Sequence, residues 1–169
     1  PNGRITSAIR SFKPDFLIHL GDFKSGSSSC TNELLISSRD QISQLYPFKT
    51  VYTPGDNDWT DCDRGKMDVR FDELERLTFL RKIFYEEEVG KKMTSGIPNL
   101  LRQKGFVENA IWQKNQVFFA TLHIPGTNNG RQQILMSPIE KALNEADSRD
   151  EYNKIWLDQL FASKGSQAI

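Results

Sequence analysis

Several marks of common functions are absent from this sequence. Charge of one sign is missing: 22 basic and 22 acidic side chains cancel, which leaves no bulk field to draw nucleic acid or an anionic membrane surface. No apolar run approaches the roughly 20 residues a membrane-spanning helix needs, and no basic-then-apolar leader opens the chain. The opening Pro1-Asn2-Gly3, without Met, fits a processed or excised piece. Histidine occurs only at His19 and His123, and cysteine only at Cys30 and Cys62. A metal centre built from this chain therefore has few nitrogen or sulfur ligands to call on. What is present is ordinary: 169 residues, 37% apolar and 26% charged, suit one domain, residues 1–169, with a core of its own.

Two stretches repeat one design. Phe16-Leu17-Ile18-His19-Leu20-Gly21-Asp22 and Thr50-Val51-Tyr52-Thr53-Pro54-Gly55-Asp56-Asn57-Asp58 each run strand-forming residues into a Gly followed by an acid. In an open α/β sheet the C-terminal ends of the strands form the ligand-binding edge. Gly permits a sharp turn there, and a carboxylate supplies hard oxygens to a divalent cation.

The rest of the chain reads as an α/β order. Ile5, Ala8, Ile9 and Phe12 mark a first helix that Pro14 ends. A strand over 16–20 leads to the polar loop 24–29. A helix over 32–46 follows, capped by Thr31 and faced by Leu35, Ser38, Ile42 and Leu45. Strand, helix and strand at this spacing predict a right-handed parallel crossover. A long helix is expected over 72–87, with Asp72 and Glu75 in a capping arrangement, then irregular chain over 93–104. Strands over 107–113 and 116–124, joined at Lys114-Asn115, predict a hairpin. A last helix is expected from Ser148, which forms a Ser-x-x-Glu box with Glu151.

With those motifs in place, the sequence resembles the calcineurin-like metallophosphoesterases. Ile18-His19-Leu20-Gly21-Asp22 is similar to their Gly-Asp motif. Pro54-Gly55-Asp56-Asn57-Asp58-Trp59-Thr60-Asp61-Cys62 is similar to the Gly-Asn-His-Asp/Glu motif in a variant form. The resemblance covers about residues 5–124 and implies an α/β/β/α sandwich of which this chain is a middle portion. The Asp-x-His motif before it and the Gly-His-x-His motif after it are lacking. It implies a hydrolase acting on a phosphorylated small molecule or other phosphoester, with two divalent ions (Mn, Fe or Zn) bridged by Asp22. Read without a gap, Asp56 takes the place of the ligating Asn, and Asn57 that of the His contacting the substrate phosphate, with Asp58 as the neighbouring catalytic residue. Slipped by one, Asn57 is the ligand. Asn cannot donate a proton as His does. The other function class is a non-catalytic binding module that keeps the fold.

The remaining candidates follow from position. Lys24 and Arg64 sit in loops beside the two corners, where they could bind phosphate oxygens or stand as solvated charges. His123 ends a strand and could reach the metal edge. His19 reads as a core residue, Trp112 and Trp156 as core, Trp59 as a wall of the cleft, and Asn128 and Asn129 as turn formers. Cys30 and Cys62 each lie on the loop leaving a corner, so adjacent strands bring them together for a disulfide, which favours a secreted or periplasmic protein.

Overall fold

The computed structural model of the chain describes residues 2–162. Helix α1 (Asn2–Phe12) stops at Lys13, which takes a left-handed φ of 48° just before Pro14. Strand β1 (Leu17–His19), helix α2 (Asn32–Leu45) and strand β2 (Thr50–Tyr52) form the expected parallel crossover, with Leu17 opposite Thr50 and His19 opposite Tyr52. The Thr31 side chain caps α2 by accepting from the Leu34 amide at 3.2 Å. Both strands are three residues long, yet the ladder runs on, because the Thr53 amide donates to the His19 carbonyl at 3.0 Å.

A 3-10 turn (Thr60–Asp63) follows the second corner. Helix α3 (Glu73–Arg81) is capped by Asp72, whose carboxylate accepts from the Glu75 amide at 2.9 Å. The helix expected over 72–87 then widens into a π-type turn (Lys82–Glu86), closed by the Glu87 amide on the Lys82 carbonyl, before the short α4 (Glu88–Lys92). The wider turn lets Phe84 stack on Tyr52, with ring centroids 3.8 Å apart, and Tyr85 donate its hydroxyl to the Tyr52 carbonyl.

Strands β3 (Leu101–Arg102), β4 (Ala110–Lys114) and β5 (Val117–Thr121) make a separate antiparallel sheet in that order. The hairpin turn is Asn115-Gln116, one residue later than expected: Lys114 pairs with Val117, and both turn residues have positive φ, as a two-residue turn matching strand twist requires. Residues Gly126–Gly130 form a left-handed turn in which Thr127, Asn128 and Asn129 all have φ near the left-handed value.

Helix α5 runs over Ile139–Ala162 and starts nine residues before the expected Ser148. The Pro138 carbonyl accepts its first amide bonds, from Lys141 and Ala142, at a position where proline's missing donor costs nothing. Its buried stripe is Ala142, Ala146, Arg149, Asn153 and Trp156; the first four are small or polar and do not read as an apolar face. The Ser148–Glu151 pair therefore lies inside a helix rather than capping one.

Two apolar clusters hold these pieces. One joins Leu35 and Ile42 of α2, Tyr52, Trp59, and Leu77, Leu80 and Phe84 of α3 and its extension. The other places Val51 of β2 against Ala110 and Trp112 of β4, so side chains of the two sheets share one core. Phe16 seals that contact edge-on to Trp112 at 5.1 Å and to Phe119 at 4.8 Å. Across the antiparallel sheet, Asn153 of α5 donates to the His123 carbonyl and accepts from Asn109.

Candidate metal centre

The two Gly-Asp corners meet at the C-terminal ends of β1 and β2. Gly21 and Asp22 both turn left-handed, with φ of 75° and 54°, and this double turn brings Asp22 under the second corner. The Asn57 amide donates to Asp22 Oδ1 at 3.2 Å and to Asp56 Oδ1 at 2.9 Å. One donor thus bridges the two carboxylates, which lie no more than two hydrogen bonds apart. Burial raises the Asp22 carboxyl; the Asn57 bond opposes this, and the neighbouring Asp56 charge adds to it. A shared, strained pair of carboxylates is what a cation would relieve.

Glycine makes the approach possible at two points. A Cβ on Gly55 would stand 2.1 Å from Asp22 Oδ1, and one on Gly126 would stand 2.1 Å from Asp56 Oδ2. Gly126 opens the left-handed turn after β5. The antiparallel sheet therefore reaches the corner through a bare backbone, a contact that Pro125-Gly126 announces in sequence only as a strand break.

Asp58, expected as a catalytic neighbour of Asn57, has another place. It is fully buried, and its two oxygens accept from the Asp22, Phe23 and Gly55 amides and the Tyr52 hydroxyl at 2.9 to 3.2 Å. Burial lifts its carboxyl to about 6 against those bonds. Asp58 is a clamp that ties the first corner to the second, and it has no free face for a substrate. Asn57 keeps its side chain half-buried beside the loop of residues 24–29, since a Cβ on Gly26 would stand 2.7 Å from Asn57 Oδ1.

The three substrate-binding candidates are also engaged. Lys24 is 8% exposed and donates to the Ser25 and Ser28 carbonyls at 3.2 and 2.9 Å, closing its own loop; burial lowers its pKa. Arg64 lies 2.7 Å from Asp61 Oδ1, although the buried Asp61 oxygens receive no aligned donor from the described residues. With a side chain 34% exposed, Arg64 is the more open of the two cations. His123 does not open onto the corner. It is wholly buried, its Nε2 accepts from the Trp59 indole at 3.1 Å, and its Nδ1 lies 3.0 Å from Glu108 Oε1. Trp59, expected as a cleft wall, is likewise buried, between this histidine and the Arg149 guanidinium. His19, expected as a core residue, is half-buried and serves the backbone: its Nδ1 accepts from the Gly21 amide at 3.2 Å.

Cys30 and Cys62 form the expected disulfide, with Cα atoms 5.6 Å apart. The bridge joins the residue before the α2 cap to the 3-10 turn after the second corner. Asp22 and Asp56 could together grip one hard cation, whereas no group of three or more His, Cys, Asp or Glu placed to hold a metal occurs among the described residues. A groove of about 490 Å3 lined by Leu101, Trp112, Phe118 and Trp156 lies elsewhere on the surface. Comparison of the chain with protein-family models, with curated proteins and with solved structures finds no match in any of the three.

Proposed function

We propose that this chain is a portion of a calcineurin-like metallophosphoesterase, and that the corner at Asp22 and Asp56 is the cation-binding edge of a phosphoester hydrolase. The observation that carries this reading is the pairing of those two carboxylates across one backbone donor, at the ends of adjacent parallel strands. The order of layers, helices against a parallel sheet against an antiparallel sheet against α5, supports the family's sandwich.

Asp22 and Asp56 would hold a divalent cation, Mn, Fe or Zn, which supplies charge neutralisation and polarisation of a phosphoryl oxygen. The protein's own contribution is positional: Asp58 fixes both turns, Gly55 and Gly126 keep side chains out of the corner, and Arg64 stands near enough to meet a phosphate oxygen if it leaves Asp61. The substrate class is a phosphorylated small molecule or another phosphoester. The disulfide favours a secreted or periplasmic setting, and no helix among the described residues is long and apolar enough to cross a membrane.

One observation favours the second reading, a non-catalytic module with a weakened site: the described residues offer two carboxylates to a cation and no third partner of the kind a resident ion needs. Titration with Mn2+ followed by electron paramagnetic resonance separates the two. Saturable binding that Asp22→Asn and Asp56→Asn each weaken by about tenfold or more supports the hydrolase. No binding at millimolar Mn2+, or binding indifferent to both substitutions, removes it. Hydrolysis is then sought with 4-nitrophenyl phosphate and bis(4-nitrophenyl) phosphate.

A further inference from the structure

The geometry points to a pH-sensitive latch away from the metal corner, in which the carboxyl groups of Asp63 and Glu73 share one proton and so fasten the strap of residues 131–138 to the body of the protein. Both groups are buried, at 0% and 3% exposed. Each gives one oxygen to the strap: Asp63 Oδ2 accepts from the Leu135 and Met136 amides at 2.6 and 3.1 Å, and Glu73 Oε2 from the Ser137 amide at 3.3 Å. Their other oxygens, Asp63 Oδ1 and Glu73 Oε1, are buried without a donor from any described residue. The two carboxyl groups accept from the consecutive amides of Met136 and Ser137, which sets them side by side under the strap.

Among the described residues no cation is placed to neutralise the pair. On the 3-10 turn Arg64 is held by Asp61. On α3, Arg76 points to Glu75, Asn32 and the Cys30 carbonyl, and Asp72 accepts from the Ser137 hydroxyl. On the strap, Arg131 is paired with Asp147 and Asp150. At the start of α5, Glu140 and Lys141 are exposed. Two buried carboxylates with nothing between them would repel strongly, and ionising both would cost far more than a surface pair does. One proton between the orphan oxygens removes the repulsion and supplies the missing donor.

The consequence for pH follows from linkage. Burial, with Asp63 beside it, raises the Glu73 carboxyl from 4.5 to about 7. The fastened strap therefore keeps a proton that the released form, with an ordinary carboxyl, gives up. Between about 4.5 and 7 the opening equilibrium grows roughly tenfold per pH unit. Above that range neither form holds the proton, and the dependence ends. What is released carries Leu135 and Met136, both about half exposed at the crest of the strap.

Amide exchange at Leu135, Met136 and Ser137, measured from pH 4.5 to 7.5 and corrected for intrinsic base catalysis, tests the latch. The wild-type protein should lose protection by roughly a hundredfold across the range. Glu73→Gln, whose amide donates to Asp63 at every pH, should hold protection flat. Corrected exchange that is flat in the wild type, or equally steep in Glu73→Gln, overturns the proposal. Carbon-13 titration of the Glu73 side-chain carboxyl in the wild type is independent of whether that variant folds: a proton retained to about pH 7 is the expected result, and its loss near the ordinary 4.5 would also overturn the proposal.

Discussion

The indole of Trp59 donates to Nε2 of His123 at 3.1 Å, and because an indole can only donate, it sets the histidine's tautomer. Nδ1 then carries the proton and gives it to Glu108. The residue next to the Asp58 clamp is in this way tied to the end of the antiparallel sheet. Burial lowers the His123 pKa against the pull of Glu108, so the ring stays neutral and the bond to Trp59 persists. Trp59→Phe, which leaves Nε2 without its donor, should destabilise the fold by about 1 to 2 kcal/mol. His123→Ala, which also leaves a void and strands Glu108, should cost more, about 3 kcal/mol. Urea denaturation of the two variants measures both, and equal costs would mean that Glu108 does not depend on the ring.

The acid limb of stability should report Glu108. Burial alone would raise its carboxyl, but the hydrogen bond from His123 and the Arg81 guanidinium at 2.7 Å outweigh it and hold it at about 2. A folded pKa below the ordinary 4.5 gives stability that is complete above that value and is lost as the pH falls toward 2. Glu108→Gln should be less stable than wild type at pH 7, with the gap narrowing on acidification. Thermal melts at pH 3 and pH 7 give the comparison, and a gap that widens in acid would contradict it.

Asp58 should matter for folding more than for chemistry. Asp58→Ala removes the acceptor for three backbone amides and the Tyr52 hydroxyl. A loss of about 3 kcal/mol is expected, with Asp22 and Phe23 amides gaining exchange before the rest of the sheet. Protection that falls only at Tyr52 would show that the two corners hold each other by other means.

Neither Gly-Asp corner should bind a cation well alone. Asp22→Asn and Asp56→Asn should each weaken Mn2+ binding by tenfold or more, an effect at least as large as the loss of an outer-shell partner. The 169-residue chain itself should bind weakly, release the ion to a chelator and show negligible turnover. Stoichiometric metal surviving chelator dialysis would mean that ligands beyond these two carboxylates complete the site.

The disulfide closes a segment of 32 residues, and constraining such a loop in the unfolded chain is worth about 3 to 4 kcal/mol. Cys30→Ala with Cys62→Ala should lower the urea midpoint accordingly, and mass spectrometry of the native protein should find no alkylatable thiol. A midpoint unchanged by the double substitution would show that the folded state holds the corner without the bridge.

Much of the first half was legible because its signals are local. Thr31 and Asp72 cap where their side chains allow, Pro14 stops α1, and the two Gly-Asp runs deliver their acids to neighbouring strand ends. What sequence hid is long-range. Asp58 looks like a catalytic neighbour of Asn57 until Tyr52 and the first corner surround it. Lys24 and His123 look free until their partners, two loop carbonyls in one case and Trp59 with Glu108 in the other, are brought in by the fold. The start of α5 was hidden because Ala142, Ala146, Arg149 and Asn153 make a buried stripe without apolar bulk. Arg149 can lie there because Glu145 and Asn129 receive its guanidinium.

The Cys30–Cys62 bridge makes a covalent ring of α2, β2 and the second corner. A protease that cuts any exposed bond between Thr31 and Asp61 severs the backbone without releasing a fragment. The nicked molecule keeps its mass on a non-reducing gel and separates into two chains only when a reductant is added.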